Sequence, residues 1–260
     1  MIYEDLTGAI IGAYYEVYNR TSRTYPEFIY ERAMIEELRL RGLSSTQQDA
    51  YEIFYKERKV GEQRLDLFVV QQVVVENKVT DRLTRLNKAQ CISYLKTVDK
   101  PVGVLLNFGS ETPNFHRLYF DPQKKPEFVT QEKVTPDAEW LYPELSYDII
   151  GGLYEVHRTL GAGFVHWIYA NACHHELKLR GMGLEPRKRI DVLYRGIPIG
   201  DIAFGHLIVE GKIMVFPTAI RDVADIRLEN LRVWMRQRQI QLGILANFDD
   251  TSLKPVLVKA

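Results

Sequence analysis

The chain has 260 residues, 46% hydrophobic and 26% charged, enough for one large domain or two of ordinary size with real cores. Lys+Arg and Asp+Glu stand at 34 each, so no global positive field draws the chain onto nucleic acid or anionic lipid, and any such binding has to be local. No apolar run approaches the roughly 18 residues of a membrane helix, and "MIYEDLTGAI" lacks the pattern of a signal peptide, so the expectation is a cytoplasmic protein with no membrane partner.

Residues 4–19 carry apolar side chains at helical spacing, and Pro26 is placed to open a second helix through about Arg41, ended by Gly42. Three β-branched and aromatic runs follow, "YEIFY", "RLDLFVV" and "QVVVENKV", the third almost continuously apolar as in a strand covered on both faces. A helix is expected at about 83–97, then "VGVLLNF" as a strand and "FHRLYF" as an edge strand. The order αα-βββ-α-ββ implies a mixed α/β sheet flanked by helices. The two cysteines, Cys91 and Cys173, fall within helical patterns and form no CxxC pair, which fits buried reduced thiols. "DPQKKPEFVTQEKVTPDAEW" from Asp121 is rich in proline and charge, as linkers are.

Beyond that segment the chain repeats itself. "LTGAIIGAYYEVYNR" from Leu6 aligns with "LSYDIIGGLYEVHRT" from Leu145 at an offset of 139, which also pairs "EELRLRG" with "HELKLRG". An offset of 140 pairs "GVLLNF" from Gly103 with "GILANF" from Gly243. A period of domain size means two copies of one fold. The expected organisation is a first domain over 1–121, a linker over 122–140 and a second domain over 141–260.

Asp66 and Glu76 lie on strands that "VVQQV" can join as a hairpin, so their carboxylates can face each other. Lys78 is two residues beyond Glu76 and points the same way, because strand side chains alternate. Two carboxylates and an ammonium then converge in an apolar setting. Buried carboxylates are costly unless paired or metal-bound, and oxygen ligands suit Mg²⁺ or Mn²⁺. Each of these charges taken singly is also explained by a solvated face; the set together favours a site.

These residues resemble the PD-(D/E)xK nuclease superfamily, which carries D…ExK on the second and third strands of its core; Asp66 and Glu76-Asn77-Lys78 match. More narrowly the chain resembles the GxxExxY family. Its motif reads Thr24-Tyr25-Pro26-Glu27-Phe28-Ile29-Tyr30 here, with Thr24 in place of glycine, and Gly163 to Tyr169 in the second copy. Gln90 to Tyr94 is similar to the QxxxY pattern of RecB-like members. The resemblance implies two tandem restriction-endonuclease-like domains. It also implies metal binding by Asp66, Glu76, the Asn77 carbonyl and Glu27, and a catalytic set completed by Lys78, Gln90 and Tyr94. The implied partner is nucleic acid, DNA ahead of RNA; Arg82, Arg85, Lys88 and Lys96 along the following helix are candidate phosphate contacts, which a solvated helix face explains equally well. Tyr30, kept in both copies as Tyr169, reads as core.

The second copy has lost this chemistry. Glu27, Asp66, Glu76, Lys78, Gln90 and Tyr94 pair with His166, His206, Phe216, Thr218, Asn230 and Trp234. The expectation is an inactive domain that keeps the fold and pairs with the first as a pseudo-dimer, a further homodimer being left open. His166 and His206 could instead form a softer zinc or nickel site, or simply a hydrogen-bonded or stacked pair. Two non-catalytic readings stand beside the nuclease: a nucleic-acid- or protein-binding module with a vestigial site, and a structural partner protein. The intact Glu27, Asp66, Glu76 and Lys78 argue for activity.

Overall fold

A computed structural model describes residues 2–121, 140–220 and 222–260, so all but one residue of the expected linker lies outside the described residues. The described chain divides into two units, Met1–Ile53 with Glu62–Lys125 and Phe54–Gly61 with Pro126–Ala260.

The first unit opens with α1 (Glu4–Arg20) and α2 (Glu27–Leu40), the second preceded by Pro26 at its N-cap. Strands β1 (Ser45–Gln47), β2 (Ala50–Tyr55), β3 (Arg58–Arg64), β4 (Leu67–Val69) and β5 (Val73–Lys78) come next. They are followed by α3 (Arg85–Val98), β6 (Val102–Asn107) and β7 (Asn114–Tyr119). The five-stranded sheet runs β1-β4-β5-β6-β7, with β5 and β6 parallel and the other pairs antiparallel, so β7 is an edge as expected. The alternation of β5 divides its side chains between two layers. Val73 and Val75 pack with Ile10, Tyr14, Met34 and Leu38 of α1 and α2, and Val74 packs with Tyr94 and Leu95 of α3.

Two strands were not expected. The "RKVGEQR" of β3 and the three residues of β1 carry no apolar run, and they form by pairing with β2 and β4 respectively. The expected strand "RLDLFVV" is broken at Leu65 and Asp66, its first residue closing β3 and only Leu67–Val69 continuing as β4.

The second unit repeats the plan. Helices α4 (Pro143–Leu160) and α5 (His166–Leu179) precede β8 (Leu184–Tyr194), β9 (Ile197–Val209) and β10 (Ile213–Thr218). Then come α6 (Leu228–Gln237), β11 (Leu242–Asn247) and β12 (Val256–Lys259), in a sheet ordered β12-β11-β10-β9-β8. The unit includes the tip of the β2–β3 hairpin, where Tyr55 Oη and Lys56 Nζ donate to Glu176 Oε2 at 2.7 and 2.6 Å.

The matched sequence blocks are framework contacts. Tyr30 stacks on Phe108 with centroids 4.5 Å apart, and Tyr169 stacks on Phe248 at 4.6 Å, both tyrosines buried. Asn107 Oδ1 accepts from Thr80 N at 3.1 Å and Gly109 N at 3.1 Å while its Nδ2 donates to Thr80 O at 2.8 Å; Asn247 does the same for Ile220. Because Phe108 N also donates to Lys78 O at 2.8 Å, this asparagine fixes the chain that leaves β5. Asn107→Ala strands two donors and an acceptor, so it should lower stability by about 2–3 kcal/mol in urea denaturation.

The β4–β5 turn places Val70 and Gln71 at φ 52° and 56°, a left-handed pair that suits a tight hairpin but strains side chains with a Cβ. The second copy has Gly211 in place of Gln71. Gln71→Gly should therefore raise stability, by up to about 1 kcal/mol, measurable as a higher denaturation midpoint.

Candidate active site

Leu67 pairs with Val75, so the next residue back, Asp66, falls beside Glu76 on the neighbouring strand. Asp66 Oδ2 accepts from Asn77 N at 2.9 Å, which ties the carboxylate to β5. Glu76 is 1% exposed, and its Oε1 accepts from Lys78 Nζ at 2.5 Å, as the shared strand face requires. Lys78 Nζ also lies 3.8 Å from Glu27 Oε1, a residue delivered by the first turn of α2. Glu27, Asp66, Glu76 and Lys78, named from sequence, thus meet at one end of the sheet.

Burial raises the pKa of all three carboxyls above the ordinary carboxylate range, and a neighbouring carboxylate adds to it in each, Asp66 for Glu27 and Glu76 and Glu31 for Asp66; Lys78 opposes the rise in all three. Burial works against the charge on Lys78, but Glu76, Glu27 and Asp66 outweigh it and hold its pKa above the usual lysine value. The group is therefore a poised acidic nest around one fixed cation. Asp66 lies close enough to Glu76 for its charge to raise the Glu76 pKa further. Glu76 Oε2 and both side-chain polar atoms of the fully buried Asn77 have no hydrogen-bond partner among the described residues. Unsatisfied buried oxygen beside other carboxylates is the environment a hard divalent cation satisfies, so the residues fit such an ion.

Gln90 and Tyr94 are placed differently. On α3, Gln90 Nε2 donates to Tyr94 Oη at 2.6 Å, and Gln63 Nε2 of β3 donates to the same oxygen at 2.8 Å. Tyr94 is buried, and burial followed by the nearby Glu76 charge raises its pKa, so it stays a neutral phenol flanking the site. Among the helix cations, Arg82 and Arg85 are exposed, whereas Lys96 is partly buried and burial lowers its pKa.

Two participants were missed from sequence. Glu31, one turn beyond Glu27, is 6% exposed and accepts from Gln47 Nε2 at 2.9 Å and Gln48 Nε2 at 3.1 Å. The signal was available as a pair of glutamates at i and i+4 on one helix face. Gln63 was missed with its strand.

At the equivalent positions of the second unit the space is filled by rings. His166 stacks on Phe204 at 5.0 Å and its Nε2 accepts from Gly205 N at 2.9 Å; His206 stacks on Phe216 at 6.1 Å and its Nδ1 is 3.0 Å from Phe204 O. Thr218 Oγ1 donates to Ala246 O at 3.3 Å. Each histidine is thus stacked on a phenylalanine and hydrogen-bonded to backbone instead of pairing with the other, and among the described residues no triad of ligating groups includes them.

A mixed sheet flanked by helices, with Asp66 immediately before β4 and the Glu76–Lys78 pair on the neighbouring β5, defines the restriction-endonuclease-like class of nuclease fold. The family model described as the PD-(D/E)XK nuclease superfamily matches residues 4–118 and again 143–258, and the chain belongs to that superfamily, in two copies. No curated protein and no solved structure matches the chain. No helix among the described residues is long and apolar enough to cross a membrane.

Proposed function

We propose that the first copy, over residues 1–121, is a Mg²⁺- or Mn²⁺-dependent nuclease of the GxxExxY type that hydrolyses phosphodiester bonds, DNA ahead of RNA. The second copy, over 141–260, serves as its non-catalytic partner, with 122–140 as the linker. The observation that carries the reading is the buried, partnerless Glu76 Oε2 beside Asp66, with Lys78 held on the same strand face. Asp66, Glu76 and the Asn77 carbonyl are the groups that hold a divalent cation, with Glu27 contributing directly or through water. When bound, such an ion polarises the scissile phosphate and lowers the pKa of water. Lys78 Nζ, kept cationic by its carboxylate neighbours, orients the attacking water and stabilises charge developing on the phosphoryl oxygens. Gln90 and Gln63 hold the Tyr94 hydroxyl in place at the border of the site. The second copy places Phe216 and Thr218 where a ligand and a cation are needed, so neither task can be performed there.

The test is cleavage of labelled single- and double-stranded DNA and RNA by the full chain, with Mg²⁺, Mn²⁺ or EDTA. Cutting that needs metal and ranks DNA first is the expected outcome. A folded chain that cuts none of the four substrates with either metal would reject the nuclease.

A further inference from the structure

We propose that the tip of the β8–β9 hairpin, Tyr194 to Ile197, docks on the α1–α2 face of a second copy of this chain, so that two chains exchange tips and pair. The proposal goes beyond the cleavage chemistry and does not depend on it.

The template for this contact lies inside the second unit, to which the β2–β3 tip belongs. Tyr55 Oη and Lys56 Nζ donate to Glu176 Oε2 at 2.7 and 2.6 Å, Lys56 Nζ stands 3.9 Å from Glu155 Oε1, and Asn171 Nδ2 donates to Val60 O at 2.7 Å. The approach is close, because a Cβ at Gly61 would meet Ile168 Cγ1 at 2.7 Å. Tyr55 is completely buried and Val60 nearly so. A tyrosine and a cation at a hairpin tip thus plug a socket made by two helices.

The repeat carries the plug a second time. At the offset of 139, "EIFYK" from Glu52 aligns with "DVLYR" from Asp191, which sets Tyr194 for Tyr55, Arg195 for Lys56 and, further on, Ile199 for Val60. The turn is kept as well: Lys56 and Glu57 have φ of 45° and 65°, Arg195 and Gly196 of 51° and 81°. Each cation lies over the ring of its tyrosine, Lys56 at 5.5 Å and Arg195 at 5.6 Å. Only the covering differs. Tyr194 is 61% exposed, and Ile197 and Ile199 are 65% exposed each. An apolar patch of this kind, edged by charge, marks a surface that another protein covers.

The socket is repeated too. Glu155, Ile168, Ala172, Glu176 and Arg180 correspond to Glu16, Ile29, Ala33, Glu37 and Arg41 on α1 and α2. Arg41 holds Glu37 at 2.7 Å as Arg180 holds Glu176 at 2.9 Å, so the receiving carboxylate is presented alike. In the occupied socket Ile168, Ala172 and Glu176 are buried, whereas Ile29, Ala33 and Glu37 are only partly so. Arg32 stands where Asn171 donates, which keeps a donor for the Ile199 carbonyl.

Charge and apolar character select the occupant. Arg195 answers Glu37 and Glu16, while Tyr194 and Ile199 answer Ile29 and Ala33. A nucleic acid would use Arg195 and leave the tyrosine and isoleucines in water. Each chain brings one such tip and one such socket, so two chains satisfy both in a self-complementary twofold exchange that closes on itself.

The experiment is sedimentation equilibrium of the full chain over a concentration series, in EDTA and without nucleic acid. Wild type is expected to dimerise. Tyr194→Ser and Arg195→Glu change exposed positions that the fold does not need, and each should raise the dissociation constant at least about a hundredfold, the scale of losing a tyrosine or arginine anchor. Glu37→Lys, checked for folding by circular dichroism, should do the same, and Trp167→Ser, at a residue 63% exposed and outside the contact, should change nothing. An equal mixture of the Arg195→Glu and Glu37→Lys chains again sets opposite charges together at both contacts and should recover the dimer that neither forms alone. A wild-type chain that stays monomeric throughout would overturn the proposal, whether its tip then closes on its own chain or binds a labelled DNA duplex through Arg195. So would a dimer that Tyr194→Ser and Arg195→Glu leave intact, or a mixture that fails to pair. None of these results alters the reading of the cleavage assay.

Discussion

Glu76→Ala should lower metal-dependent cleavage by at least about a thousandfold, and Lys78→Ala by about a hundred- to a thousandfold, the scale of losing a preorganised charge aimed at a reacting phosphate. The two are not equivalent in cause. Glu76 is fully buried and holds Lys78 through Oε1, and on the proposed reading it is also a ligand, so its removal should take away that ligand and free the ammonium to swing. Lys78 removal leaves the ligands in place but with more repulsion among them, since it is the one group lowering the pKa of all three carboxyls. Because they act as a unit, the double variant should cut about as slowly as Glu76→Ala alone. Lys78→Arg should not rescue the rate, as a planar fork cannot occupy the 2.5 Å contact with Glu76 in the same way. Tyr94→Phe removes a hydroxyl that touches two glutamines and no carboxylate, so the rate should fall less than tenfold. Single-turnover rates on one labelled substrate separate these cases, and wild-type cutting by purified Glu76→Ala would remove the catalytic assignment altogether.

The positions of these residues were legible because a carboxylate in an apolar strand is a local contradiction that a sequence displays by itself. Glu76 follows three valines, and the period of two places Lys78 on its face. The repeat was legible because its matched residues are contacts that cannot be exchanged singly. Asn107 binds both polar groups of Thr80, Tyr30 stacks on Phe108, and Arg41 joins Glu37 at 2.7 Å to the Gly12 carbonyl at 3.2 Å. What escaped had no local signature. Strand β3 is stabilised by its partner and not by its own "RKVGEQR", so propensity points away from it. The interruption at Asp66, bridged by Gln48 N to Asp66 O at 3.3 Å and Leu65 N to Asp49 O at 3.2 Å, depends on pairing across the hairpin. Glu31 looked like one more charge on a helix that also carries Glu36 and Glu37 at its surface, and only the approach of Asp66 from the sheet distinguishes it.

Without metal, the chain should become less stable as pH rises from the ordinary carboxylate range toward 8, and added Mn²⁺ should recover more stability at pH 8 than at pH 5. Burial, the largest cause in each, places the folded-state pKa values of Glu27, Asp66 and Glu76 above those of the unfolded chain, against the opposing pull of Lys78. The neutral carboxyl is then the form the fold prefers. Its contribution is complete below the unfolded pKa and is lost as pH climbs through the folded one. Lys78, with its pKa raised by the same neighbours, stays charged across this window and contributes no slope. Asp249, pushed up to about 6 by burial and by Asp250, adds a loss of the same sign in the second unit, so the assignment rests on a variant. Glu76→Gln removes the most buried of the three titrating groups; its metal-free melting temperature should vary less between pH 5 and 8 and exceed that of wild type at pH 8. Cations bind the ionised form, and a ligand at a hundred times its dissociation constant adds about 2.7 kcal/mol. That gain should shrink at pH 5, where protons compete for the same oxygens. Differential scanning calorimetry at the two pH values, with EDTA or Mn²⁺, reads all four corners. A metal-free melting temperature equally pH-dependent in wild type and Glu76→Gln, or a Mn²⁺ shift as large at pH 5 as at pH 8, would mean that these carboxylates are solvated surface charges and not a metal-binding nest.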